Sequence, residues 1–181
     1  MSSAYISIND YKSGKLKHKI NMQKSGSSIP VYMVKHVIQS AVKATLYNEN
    51  VDRICVVNIL LTNDKGIRKY NMDYRGIDRA TDVLSFPMQD FSKTGWSGCC
   101  NLMQDEDTGF ISLGDIVVSS ETIQRHSNEY RNSIVNEWAY MIIHSTLHLL
   151  GYDHDNEINE KVMSNKSNQI MQRLGFNKND K

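Results

Sequence analysis

Residues 135–150 (VNEWAYMIIHSTLHLL) form a strongly apolar stretch of helical length, and Gly151 follows where a left-handed residue would end the helix. A helix that is apolar around most of its circumference is stable only when other elements cover it. The chain is therefore expected to fold around this segment. Val135, Trp138, Ile142, Leu147 and Leu149 should be mostly buried, with His144 and His148 opening into a cleft. At 181 residues, one domain can bury roughly two-thirds of its unfolded surface without a disulfide or a structural metal.

Apolar residues make up 40% of the chain and charged residues 23%, which excludes a wholly disordered protein. The run Ile54–Leu61, broken by Asn58, is too short to cross a bilayer, so no membrane partner is expected. Residues 1–10 lack a basic segment followed by an apolar one, so no secretory signal is expected. Three cysteines, of which Cys99 and Cys100 are adjacent, make no disulfide framework, and a reducing cytoplasm is the expected location.

The net charge of +1 is unevenly spread. Residues 1–35 hold six lysines (12, 15, 17, 19, 24 and 35) against Asp10, which gives +5 and leaves −4 for the remainder. A basic amino-terminal arm over about residues 1–30 can lie along phosphates or remain a solvated tail.

Helical and β-type patterns alternate irregularly, which favours an α+β fold: a small mixed sheet of about four strands covered by helices. Tyr5–Ile8 reads as a short strand and the Lys/Ser/Gly stretch to Ser28 as loop. Pro30 opens a helix to about Tyr47, and Arg53–Leu61 is a buried strand. Asn63 caps a helix from Asp64 to about Tyr74. Asp82–Phe86 and Phe110–Ser119 are strands, the latter with Gly114 at a bulge. Ser120 caps a helix towards Tyr130, and a last amphipathic helix spans about Glu157 to Leu174. Residues 88–109, with three glycines and an acidic run, read as a loop insertion into a single domain spanning 1–181.

Three of the six histidines fall in HSTLHLLGYDH (144–154). His144 and His148 are four apart and share a helix face. Gly151 lets the chain turn back, so that His154 reaches the same point. Three imidazoles with an open fourth position describe a catalytic zinc site rather than a closed structural one. The same spacing occurs in metzincin peptidases, where a glutamate after the first histidine is the general base. Here that position is Ser145, which cannot serve as a base at neutral pH.

A second segment, YRGIDRATDVLSFP (74–87), joins a helix to a strand through a glycine turn carrying Arg75 and Arg79. An arginine beside Gly76 can fork onto a phosphate or carboxylate, although most turn arginines form surface ion pairs.

Together with LGDIVVS (113–119), these segments resemble the YbeY family of metal-dependent single-strand endoribonucleases, over roughly residues 50–175. The resemblance implies one Zn²⁺ ion held by His144, His148 and His154, with Arg75 as the active-site arginine. It implies an RNA-cleaving hydrolase of ribosomal RNA maturation, at the 3′ end of 16S-type RNA, and of ribosome quality control. Implied partners are single-stranded RNA, the small ribosomal subunit with one of its proteins, and an assembly GTPase. Ser145 stands where the family usually has glycine, and the 88–109 stretch is longer than its usual connection. Zinc on three neutral imidazoles lowers the pKa of its water to about 7, so the absent glutamate is not needed. Asp82, Asp115 and Asp153 are candidates to orient the imidazoles, or are capping and turn residues; Ser85 touches a phosphate or bonds locally. Competing readings are a metzincin-like zinc metallopeptidase and a non-catalytic ribosome-assembly factor.

Overall fold

The computed structural model describes residues 16–91, 95–96 and 102–176. Its elements, in chain order, are β1 (Lys19–Lys24), α1 (Val31–Asn48), β2 (Cys55–Thr62), α2 (Asp64–Arg75), β3 (Val83–Pro87), β4 (Ile111–Ser119), α3 (Ser120–Glu129), α4 (Ile134–Leu149) and α5 (Glu157–Arg173). The strands form one mixed sheet in the order β1-β2-β4-β3, with β3 antiparallel to β4 and the other pairs parallel. The α+β expectation with a small mixed sheet holds, and the described residues contribute four strands to it.

Alternation builds the core. Cys55, Val57, Ile59 and Leu61 of β2 face one way and are buried, as are Ile111, Ile116 and Val118 of β4. On that face α1, α4 and α5 close a single apolar cluster that includes Trp138, Ile142 and Leu147. On the other face α2 covers only part of the sheet, through Ile67 against Leu84 and Val117. As expected, α4 is central, since it touches α1, α3, α5, β3 and β4.

Local chemistry explains the helix ends. Asn63 accepts from Gly66 N at 2.8 Å and caps α2, while Pro30 precedes α1. Among the described residues, no helix is long and apolar enough to cross a membrane.

Three readings differ from what the structure shows. The loop expected before Ser28 contains β1, paired in parallel with β2 from Lys19↔Val56 to Lys24↔Leu61. The cap of α3 is Ser119, which accepts from Thr122 N, and Ser120 is the first helical residue. Val135 is only half-buried, whereas Glu137 is buried. The bulge expected at Gly114 is present: Val56 pairs with Ser112 and Val57 with Gly114, which leaves Leu113 as the extra residue. Gly114 itself has φ 137°, and a Cβ there would stand 2.1 Å from the Phe86 carbonyl oxygen. Tyr5–Ile8 and the Cys99–Cys100 pair lie outside the described residues.

Candidate active site

The last two turns of α4 present His144 and His148 beside β3, and the chain then reverses at Gly151 (φ 79°). Gly151 N donates to His148 O at 3.0 Å and Tyr152 N to Leu147 O at 3.1 Å, which closes the helix in a left-handed cap. The reversal carries His154 back to the other two rings. Ring centroids are 4.7 Å apart for His144–His148, 5.1 Å for His148–His154 and 5.7 Å for His144–His154.

One nitrogen from each ring falls within 4.8 Å of the other two. Nε2 of His144 and Nε2 of His148 are 3.1 Å apart. Nitrogens bound tetrahedrally at 2.0–2.1 Å from one ion are about 3.3 Å apart, so this pair is already spaced for a shared cation. His154 is exposed, and its ring nitrogen completes the group within 4.8 Å.

Proton inventory also fits a metal. His148 Nδ1 donates to the Tyr152 carbonyl at 2.8 Å, which leaves Nε2 with its lone pair towards His144. Burial pushes the His144 pKa down to about 4, helped by the neighbouring His148 and His154 and opposed by Asp82. Burial likewise lowers His148, against the hydrogen bond to the Tyr152 carbonyl. Neutral imidazole is the ligating form, so both rings are ready at neutral pH.

The turn that carries Tyr152 is braced from three elements. Tyr152 OH donates to Glu49 Oε2 at 2.6 Å, and Lys166 Nζ of α5 donates to Glu49 Oε1 at 2.7 Å. Residues of the 88–109 stretch press on the same turn. Phe91 packs so closely on Gly151 that a Cβ there would be 2.6 Å from the Phe91 Cβ. Gly95 N donates to Leu150 O at 3.0 Å. This buried Glu49–Tyr152–Lys166 cluster gave no local signal in the sequence, because its members are 103 and 117 residues apart.

Arg75 reaches the same cleft from the end of α2. Gly76 takes a left-handed conformation (φ 69°) and donates to Met72 O at 3.0 Å. The turn beyond is held by a forked Arg68–Asp78 pair, both contacts at 2.6 Å, and by Asn71 Nδ2 donating to Arg79 O. Arg75 is exposed and makes no side-chain hydrogen bond or ion pair among the described residues. It lines a cleft of about 600 Å³ together with Asp82, Ser85, His144, His148 and His154.

The acidic candidates separate. Asp82 Oδ1 accepts from Val83 N and Thr81 Oγ1, and its Oδ2 stands 3.9 Å from His126 Nδ1, so among the described residues it lies at the cleft without a hydrogen bond to His144, His148 or His154. Asp153 Oδ1 accepts from His154 N at 2.8 Å, which is turn duty. Asp115 is not near the imidazoles at all: it points to the open sheet face and accepts from Asn58 Nδ2 at 2.8 Å. Ser85 Oγ stands 3.5 Å from the Ser145 carbonyl. Ser145 is fully buried, and its hydroxyl donates back to Met141 O at 2.8 Å. The residue at the peptidase base position therefore has no access to the cleft.

Comparisons with known proteins show the family of the chain. The family model described as Endoribonuclease YbeY matches residues 19–175. The chain is 40% identical over 140 residues to the endoribonuclease YbeY of Caldanaerobacter subterraneus subsp. tengcongensis, covering 77% of this chain and 87% of that protein. It is 40% identical over 142 residues to that of Desulforamulus reducens, covering 78% and 87%. The solution structure of TM1509 from Thermotoga maritima superposes with a TM-score of 0.50 at 22% identity, over 90% of this chain and 99% of that one, which is a likeness of fold. The chain belongs to the endoribonuclease YbeY family.

Proposed function

We propose that the protein is a metal-dependent endoribonuclease specific for single-stranded RNA. The observation that carries this reading is the meeting of three imidazole nitrogens, mutually within 4.8 Å, with an unpaired guanidinium at the rim of one cleft. His144, His148 and His154 hold the cation, and three nitrogen donors with an open position favour zinc. Bound there, the cation supplies Lewis acidity to a phosphoryl oxygen and acidifies a water molecule.

The chain's own groups do the rest. Arg75 offers a planar fork to the non-bridging oxygens of the scissile phosphate and offsets the charge that grows there. The His148 Nδ1–H bond to the Tyr152 carbonyl fixes ring tautomer and tilt, so Nε2 keeps facing the cleft. Asp82 adds a carboxylate to the cleft wall, which disfavours a phosphate beside it and leaves Arg75 as the phosphate's partner.

The motif resemblance and the family supply the biological setting. In this reading the whole chain is one such domain, working in the cytoplasm on ribosomal RNA maturation and ribosome quality control. Its partners there are the small ribosomal subunit with one of its proteins, and an assembly GTPase. The test is cleavage of single-stranded against duplex RNA by the zinc-loaded chain. Cleavage confined to the single strand and abolished by chelation is expected; an inert zinc-loaded chain would overturn the reading.

A further inference from the structure

A second cavity, of about 580 Å³, adjoins the active-site cleft and shares Asp82 and Met141 with it as walls. It lies between the first turn of α4, the end of α3 and α5. Its inner end holds Glu137, whose side chain is only 6% exposed. Glu137 Oε2 accepts from Asn132 Nδ2 at 3.3 Å, and Oε1 stands 3.8 Å from His126 Nδ1, beyond hydrogen-bond reach. The positive end of α4 suits a carboxylate at this position. It does not explain why that carboxylate is buried with one amide as its hydrogen-bond donor among the described residues, an arrangement costly unless another donor arrives. Tyr130, 61% exposed and in ring contact with His126, stands at the mouth.

We propose that this cavity receives an unstacked guanine base from the RNA strand that lies in the cleft. Guanine is the base whose Watson–Crick edge presents two adjacent N–H donors, N1–H and the N2 amino group, which match the two oxygens of one carboxylate. Adenine, cytosine and uracil each present an acceptor next to the donor and would set it against Glu137. Single-strand RNA recognition of this kind splays a base out, stacks it on an aromatic ring and reads its edge. Tyr130 supplies the ring and Glu137 the edge reader. The buried charge admits a base edge and repels the backbone, so the phosphates stay on the Arg75 side.

The inference rests on the endoribonuclease reading, and its test separates the two. The four nucleoside 5′-monophosphates, which contain no phosphodiester bond to cut, are titrated into the full chain as purified and followed by calorimetry. Their phosphate is common, so any difference reports the base. Guanosine monophosphate should bind roughly tenfold or more tighter than the others, the usual discrimination of a bidentate edge contact. Glu137→Gln, which replaces one acceptor oxygen by a donor, should abolish the preference. Tyr130→Ala removes an exposed ring, should leave the melting temperature unchanged, and should weaken guanosine monophosphate by about tenfold. The variant thus remains informative even where Glu137→Gln destabilises the fold. Equal binding of all four nucleotides, or affinity unchanged in Tyr130→Ala, would overturn the proposal. A wild-type chain that cuts single-stranded RNA without favouring guanosine monophosphate sinks the base site alone. A chain that favours it but cuts no RNA sinks the enzymatic reading alone.

Discussion

Nδ1 of His148 donates to the backbone carbonyl of Tyr152, four residues later, at 2.8 Å. The acceptor is main chain, so its position depends on what holds the Tyr152 side chain. That holder is Glu49, which is itself paired with Lys166. Tyr152→Phe removes one hydroxyl from a buried carboxylate and should lower stability by about 1–3 kcal/mol, read as a shift in urea midpoint at unchanged slope. A midpoint equal to wild type would mean that the cluster does not brace the turn.

Metal content tests the three histidines. The purified chain should carry about one transition-metal ion, and chelation should lower its melting temperature because the ion binds the folded state alone. His148→Ala should hold no ion, and added zinc should not raise its melting temperature. A variant that retains one ion per chain by elemental analysis would remove His148 from the site.

Arg75 separates phosphate binding from metal binding. Arg75→Ala removes an exposed, unpaired side chain, so zinc content and melting temperature should stay near wild type. Cleavage of single-stranded RNA should fall by a factor on the order of 10²–10³. Arg75→Lys should recover part of this loss, because an ammonium lacks the planar fork. Wild-type rates in the zinc-loaded Arg75→Ala chain would make it an ordinary turn residue.

Acid should weaken the metal-free protein in a defined window. Burial holds the folded-state pKa of His144 at about 4, against an ordinary value of 6.5. Between those values the unfolded chain binds a proton there that the folded chain does not. Stability is therefore complete above about pH 6.5 and is lost progressively as pH falls towards 4. Denaturant titrations of chelated protein should show this slope, and His144→Asn should flatten it.

Gly114 tests the sheet beside the site. With φ 137° and the Phe86 carbonyl 2.1 Å from any Cβ, Gly114→Ala must shift β3 away from β4. A loss of at least about 2 kcal/mol is expected by thermal or denaturant unfolding.

Where apolar periodicity was strong, the fold was legible in the residues. The β2 and β4 strands and the buried face of α4 follow from it, while the Asn63 cap and the Gly76 and Gly151 turns follow from what those residue types do at helix ends. The histidine site was legible because it is local: three ligands within eleven residues and one turn. What escaped was long-range or polar. Only Ile20 and Met22 of β1 face inward, too few for alternation to stand out among Lys, Asn and Gln. Val135 was expected in the core, yet it is half-buried while Glu137, in the same turn, is buried with Oε2 accepting from Asn132 Nδ2. Asp115 lies between Gly114 and Ile116, and strand alternation turns it away from the core face that carries the histidine helix.

On that outer face, Asn21 Nδ2 donates to Asn58 Oδ1 and Asn58 Nδ2 to Asp115 Oδ1, both at 2.8 Å, across three neighbouring strands. A strand with two inward apolar side chains has little hydrophobic reason to prefer one alignment over another. The amide row supplies that reason, since sliding β1 by one residue would put Ile20 or Met22 opposite Asn58 and bring Asn21 to the apolar side. The edge of the sheet is thereby keyed like a lock, admitting its own strand in one alignment, whereas a foreign strand without the matching amide brings no donor to Asn58 Oδ1.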